Sequence, residues 1–130
     1  MTHLRIGEAA KLMGVSDDTV RRWVERGELS EYADSAGRKT VDGAELARLA
    51  QERAAAHATD DGHPVSARNS FRGLVTAVHS DPVMSQVDLQ CGPFRVVSLV
   101  STEAVRELGL EPGSLATARA KATNVVIETP

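Results

Sequence analysis

Two short runs of this 130-residue sequence gather hydrogen-bond donors with no carboxylate among them. Ser66, Arg68 and Asn69 stand directly ahead of the apolar run FRGLVTAV, and Lys121, Ala122 and Thr123 directly follow LATARA. Backbone N–H groups, hydroxyls and a guanidinium or ammonium together suit a tetrahedral oxyanion, which offers acceptors on every side. The first and last strands of a small barrel, or matching strands from two subunits, would bring the two runs together.

A second candidate chemistry lies in the first half. Arg21, Arg22 and Arg26 fall along one predicted helix, and Arg38 and Lys39 flank a turn. The planar fork of arginine can engage guanine or phosphate through two parallel hydrogen bonds, which suits this set to DNA. Asp17 and Asp18 depart from a purely basic face; at a helix N-terminus they complement the dipole and weaken attraction for phosphate. Trp23 reads as core rather than as a stacking platform.

The elements that position these residues follow from periodicity and caps. Ile6, Ala9, Ala10 and Met13 recur at helical spacing until Gly14 ends the pattern. Ser16 caps a second helix over about residues 17 to 26, with Val20, Trp23 and Val24 on one face, and Gly27 closes it. ELSEYADSAGRKTV has turn chemistry at Ala33 to Gly37 between flanks that can form a two-stranded ribbon, a candidate wing. Asp42 and Glu45 make a capping box ahead of a third helix, with Leu46, Leu49 and Ala50 as its apolar stripe to about Ala56.

HATDDGHPV carries no apolar period and reads as a linker, placed at residues 58–65 between a unit at 1–57 and another at 66–130. Beyond it come five predicted strands: FRGLVTAV; VMSQVDLQC, with Val83, Val87, Leu89 and Cys91 on one face; FRVVSLV; LATARAK; and NVVI. One helix, STEAVRELG, starts at Ser101 or Thr102 and stops at Gly109. The predicted fold class is therefore α+β in two domains: a mainly α winged helix-turn-helix, and a small OB-like β-barrel with one short helix.

LRIGEAAKLMGVSDDTVRRWVERGEL resembles MerR-type and excisionase-type DNA-binding domains over roughly residues 4 to 50. The resemblance implies that the second helix enters the major groove of double-stranded DNA and that the wing touches the adjoining backbone. Residue by residue, it implies DNA contacts from Ser16, Thr19, Arg21, Arg22, Arg38 and Lys39.

SARNSFRGLVTAV, VMSQVDL, STEAVRELGLEPG and AKATNVVI are similar to the Mop domain of the TOBE superfamily over about residues 65 to 128. This second resemblance implies a molybdate or tungstate ligand bound between subunits, in a homo-oligomer ranging from dimer to hexamer, with a trimer of dimers favoured. It implies a molybdate site formed by Ser66, Ala67, Arg68, Asn69, Lys121, Ala122 and Thr123, with Ser101 reaching in from a neighbouring subunit. Ala67 and Ala122 can contribute only backbone donors, and Ala104 stands where a polar residue is common. A donor-only pocket favours molybdate over phosphate, which retains a proton near neutral pH; leaving that buried proton unmatched costs about 1–3 kcal/mol.

Composition narrows the rest. A chain 42% hydrophobic and 25% charged is ordinary for a globular protein, and only two Phe, one Tyr and one Trp are available to fill two cores, which favours oligomerisation. The net charge of −3 argues against indiscriminate nucleic-acid binding, so any DNA reader must concentrate its cations locally. The single Cys91, the lack of a signal-like N-terminus and the lack of a long apolar run lead us to expect a cytoplasmic protein without a membrane partner. His3, His57, His63 and His79 have no ligand spacing, and no Ser-His-Asp, Cys-His, paired-carboxylate or phosphate-loop arrangement suggests an enzyme. The expectation is a molybdate- or tungstate-responsive DNA-binding regulator. The alternative is a molybdate storage or buffering protein with a DNA-tethering head.

Overall fold

The computed structural model describes residues 2–56 and 64–130, so residues 57–63, which include most of the predicted linker at 58–65, lie outside the described residues. The chain divides into two compact units, residues 1–61 and 62–130.

In the first unit, β1 (His3–Arg5) leads into α1 (Ile6–Met13) and α2 (Asp17–Glu25); then come β2 (Glu31–Ala33), β3 (Lys39–Asp42) and α3 (Gly43–Ala56). The turn between α1 and α2 is set by local chemistry. Gly14 sits at φ 66°, where a side chain would be strained. Val15 N then donates to Ala10 O at 3.0 Å, and the Ser16 hydroxyl caps α2 by accepting from Thr19 N at 3.2 Å. Ala9 and Ala10 are almost wholly buried, and their small size lets α1 approach Val20 and Trp23; Ile6, Leu29, Val41, Leu46 and Leu49 complete the core. Trp23 is its largest fully buried side chain.

The wing differs from the predicted two-stranded ribbon. β1 adds to it as a third antiparallel strand, in the order β1-β3-β2, with Leu4 opposite Val41 and Arg5 opposite Thr40. Three residues are too few to show alternation, and β1 has a partner only once β3 exists. The capping box is also only half made. Asp42 Oδ2 accepts from Glu45 N at 3.3 Å, but the Glu45 carboxylate turns away to accept from Ser30 N at 2.7 Å and Ser30 Oγ at 3.0 Å, which ties α3 to the entry of the wing.

The second unit is a curled antiparallel sheet, an OB-like half-barrel. Its strands are β4 (Asn69–Ser80), β5 (Met84–Cys91), β6 (Phe94–Ser101) and β7 (Leu115–Ala120), ordered β6-β5-β4-β7, with α4 (Thr102–Leu108) between β6 and β7. A register shift between Val75 and Ala77 bends β4 and lets one strand serve both neighbours. Val75, Val87, Leu89, Cys91 and Val105 form the core. A chain of hydroxyls seats α4: Ser80 Oγ lies 2.7 Å from Ser85 Oγ, which lies 2.8 Å from Thr102 Oγ1, and Thr102 donates to Asp81 O at 2.7 Å.

Two expectations are corrected here. Val83 is not on the buried face of β5; it lies 71% exposed in the turn before the strand, and Ser85 takes the buried position. The Asp81 carboxylate causes this, since its Oδ1 accepts from both Val83 N and Met84 N and starts the strand one residue later. NVVI is not a fifth strand: a 3-10 turn over Ala122–Asn124 redirects the chain, and Val125 to Ile127 pair with no strand among the described residues.

Gly73 marks the tightest backbone approach. A Cβ there would overlap Gln90 O and lie 2.7 Å from Cys91 Sγ. Gly73→Ala should therefore lower the stability of the half-barrel by about 2–3 kcal/mol, measured by urea denaturation; an unchanged midpoint would refute this account of the glycine.

Candidate functional site

The pairing of β4 with β7 decides how the two donor runs meet. Asn69 lies opposite Ala120 in register, and its Nδ2 donates to Ala120 O at 3.1 Å. The ladder ends at this pair, so Ser66, Ala67 and Arg68 precede β4 and Lys121, Ala122 and Thr123 follow β7 at the same end of the sheet, the latter three turning away through the 3-10 turn. The pairing of β4 with β7 within one chain thus sets Asn69, the last residue of one run, beside Ala120, the residue before the other.

Arg68 is steadied by a hydrogen bond from Nη1 to Val65 O at 3.1 Å, which leaves most of its five N–H groups available. Lys121 caps the 3-10 turn with its carbonyl, accepting from Asn124 N at 2.9 Å. Ser66, Arg68, Lys121, Ala122 and Thr123 are exposed, and Ala67 and Asn69 are half-buried. Among the described residues, no ion pair engages Arg68 or Lys121. Two cations beside hydroxyl and backbone donors can hold an oxyanion through charge-assisted bonds, but only on an open edge, with one side still facing water.

Ser101 is elsewhere. It pairs with Met84 at the opposite end of the sheet, near Ser80. The 12-residue β4 that separates it from Asn69 has a contour of roughly 40 Å at about 3.3 Å per residue. Its hydroxyl caps α4, accepting from Ala104 N at 3.0 Å, and keeps its own proton to donate. Thr102, the other candidate cap, is buried instead in the hydroxyl chain.

In the first unit, Ser16, Thr19 and Arg22 form a short relay on α2. Ser16 Oγ is 3.0 Å from Thr19 Oγ1, which accepts from Arg22 Nη2 at 3.3 Å. The other cations of the set each face a carboxylate: Arg21 with Asp18 at 3.0 Å, Arg38 with Asp34 at 3.2 Å and Lys39 with Glu31 at 3.7 Å. Backbone hydrogen bonding from Arg38, opposed by some desolvation and reinforced by Ala36 and the Arg38 charge, holds the Asp34 carboxyl below the usual carboxylate range. Sequence patterning does not reveal these acidic partners, because only Asp18 shares a helix face with its cation.

No group of three or more potential cation ligands occurs among the described residues, and no helix there is long and apolar enough to cross a membrane. Fold and site together define a class: a winged helix-turn-helix unit joined in one chain to an OB-like half-barrel with a carboxylate-free donor edge. Comparison with known proteins agrees with both halves. The TOBE domain family matches residues 65–127, and the MerR family of regulatory proteins matches residues 5–39. Molybdenum-pterin-binding protein 3 of Clostridium pasteurianum is 38% identical over 64 residues, 48% of this chain and 94% of that protein. The molybdenum transport protein ModE of Herbaspirillum seropedicae is 38% identical over 65 residues, 49% of this chain but 24% of ModE. Among solved structures, a molybdate binding protein from Sporomusa ovata aligns with a TM-score of 0.50 at 25% identity, covering 52% of this chain and all of that one. The cytoplasmic molybdate-binding protein ModG, in a form with molybdate bound, aligns with a TM-score of 0.51 at 38% identity over 55% of this chain and 52% of its own. The chain belongs to the TOBE-domain family of Mop proteins and carries a MerR-like unit at its N-terminus.

Proposed function

We propose that this protein is a cytoplasmic, molybdate- or tungstate-responsive regulator that binds double-stranded DNA through the head at residues 1–57 and the oxyanion through the unit at residues 66–130. It is not an enzyme. The observation that supports the reading is the Asn69–Ala120 pairing, which brings the end of one donor run to the start of the other, with no ion pair on Arg68 or Lys121 among the described residues. The molybdate binding protein of Sporomusa ovata and ModG with molybdate bound support molybdate as the anion. Ser66, Ala67, Arg68, Asn69, Lys121, Ala122 and Thr123 hold it, and Ser101 of a second copy closes the open side, since Ser101 in the same chain lies at the far end of β4.

Oligomer formation has further support. Val126 and Ile127 are 91% and 83% exposed, and the half-barrel leaves an apolar cavity of about 480 Å³ bordered by Phe71, Val97 and Leu115. β6 and β7 also end the sheet as open edges. Unpaired edges and contiguous apolar surface favour association between copies, up to a trimer of dimers. Anion sites shared between copies give the ligand a means to favour one arrangement of the heads over another, which is the differential binding that regulation requires.

Storage is the second reading, favoured by the carboxylates facing Arg21, Arg38 and Lys39, which dilute the positive field of the head. Fluorescence anisotropy on DNA from upstream of the protein's own gene, titrated with and without molybdate, separates the two. Regulation predicts isotherms that shift with molybdate. Superimposable isotherms, with native mass spectrometry still counting several anions per oligomer, would establish storage instead.

A further inference from the structure

Arg5 belongs to neither functional set, yet the three-stranded sheet of the first unit delivers it to the wing. Arg5 pairs with Thr40 across β1 and β3, and Tyr32 pairs with Thr40 from the other side. Alternation along these strands puts Arg5, Thr40 and Arg38 on the face opposite Val41, whose side chain enters the core. Asp34 N donates to Arg38 O at 2.9 Å, which carries the pairing one residue further and brings Asp34 to the same face.

Asp34 organises this face. Its Oδ1 accepts from Ala36 N and Arg38 N, both at 2.9 Å, so the carboxylate is locked to the backbone of the turn. Its Oδ2 then faces two guanidinium groups through their inner edges, Arg38 Nε at 3.2 Å and Arg5 Nε at 4.0 Å. Asp34 is 24% exposed, whereas Arg5 and Arg38 are 52% and 54% exposed. Two cations on one anion leave a net charge of about +1, and both guanidinium groups stay about half exposed. An acidic residue beside a DNA-facing arginine would ordinarily weaken binding. Here it holds two such arginines in place and lowers the entropy lost when they engage a ligand.

We propose that Arg5 and Arg38, both held by the Asp34 carboxylate, form a clamp that grips a backbone phosphodiester of duplex DNA beside the wing. Asp34 is the positioning residue. The inference rests on the DNA-binding reading above and adds Arg5 and Asp34 to it.

The test is anisotropy with a labelled duplex from upstream of the protein's own gene, in the full-length protein, across a range of salt. Arg5→Ala should weaken binding roughly threefold and reduce the slope of log affinity against log salt by about 0.9, the signature of one lost phosphate contact. Arg106→Ala, an exposed change of equal charge on α4, should leave both unchanged. Asp34→Asn is the decisive variant. Asparagine Oδ1 can still close the turn, but the chain becomes more positive and the anchor for both guanidinium groups is lost. The clamp requires weaker binding in Asp34→Asn; tighter binding would overturn it. Loss of affinity in Arg22→Ala, with Arg5→Ala and Asp34→Asn matching the wild type, would refute the clamp alone. Absence of DNA binding by the wild type would refute both the clamp and the regulatory reading.

Discussion

Replacing Arg68 or Lys121 by alanine is expected to weaken molybdate binding on the order of 10- to 100-fold each, and the double variant should bind no measurable anion in isothermal titration calorimetry. Hydrogen bonds to charged groups contribute about 1.5–3 kcal/mol, more than neutral ones, because the partner is ionised and water is excluded as the site closes. Both side chains are exposed, and Arg68 rests on Val65 O only through one guanidinium N–H, so their removal should leave the half-barrel folded. Circular dichroism of the variants checks that point. Wild-type affinity in both single variants would remove Arg68 and Lys121 from the site. Phosphate should compete poorly with molybdate in the wild type, because a donor-only edge leaves its remaining proton unmatched.

Trp23→Ala is expected to unfold the head while the second unit keeps its fold and its anion. Trp23 is the largest side chain in a core otherwise built from alanine and aliphatic residues, and the Arg53 guanidinium lies 4.5 Å from its ring centroid. Truncating a buried tryptophan costs about 3–5 kcal/mol, comparable to the whole stability of a domain this small. Differential scanning calorimetry should lose one transition, anisotropy should lose DNA affinity, and calorimetric molybdate titration should stay near wild type. Survival of the head's transition at its original temperature would show that the core tolerates the cavity.

Features governed by neighbours within one helical turn were legible in the residues. Gly14 and Gly109 stop their helices at positive φ, and Ser16 and Ser101 cap theirs, because a left-handed residue or a short hydroxyl acts on backbone groups only a few positions away. The same locality misled at Glu45. Its spacing from Asp42 suits a capping box, but Ser30 offers the carboxylate a backbone N–H and a hydroxyl together, and the local partner loses. At NVVI, β-branched composition indicated a strand, yet a strand needs a partner edge. The turn at Ala122–Asn124 breaks the ladder after Ala120, and the segment beyond it has no strand partner among the described residues.

By itself, then, the sequence determined the two units' character, the helix-turn-helix boundaries, and the donor content of the runs around Ser66 and Lys121. These depend on residue type and short-range spacing. Only the tertiary structure decided that β1 joins the wing, that Arg5 and Arg38 share Asp34, that Asn69 sits against Ala120, and that Ser101 lies a strand's length from the edge it was expected to complete. Each of these is a register or pairing between distant segments. Hydrophobic period and cap chemistry do not specify such pairings; the strands of each unit must first associate to bury Val41 in the first core and Val75 and Val87 in the second.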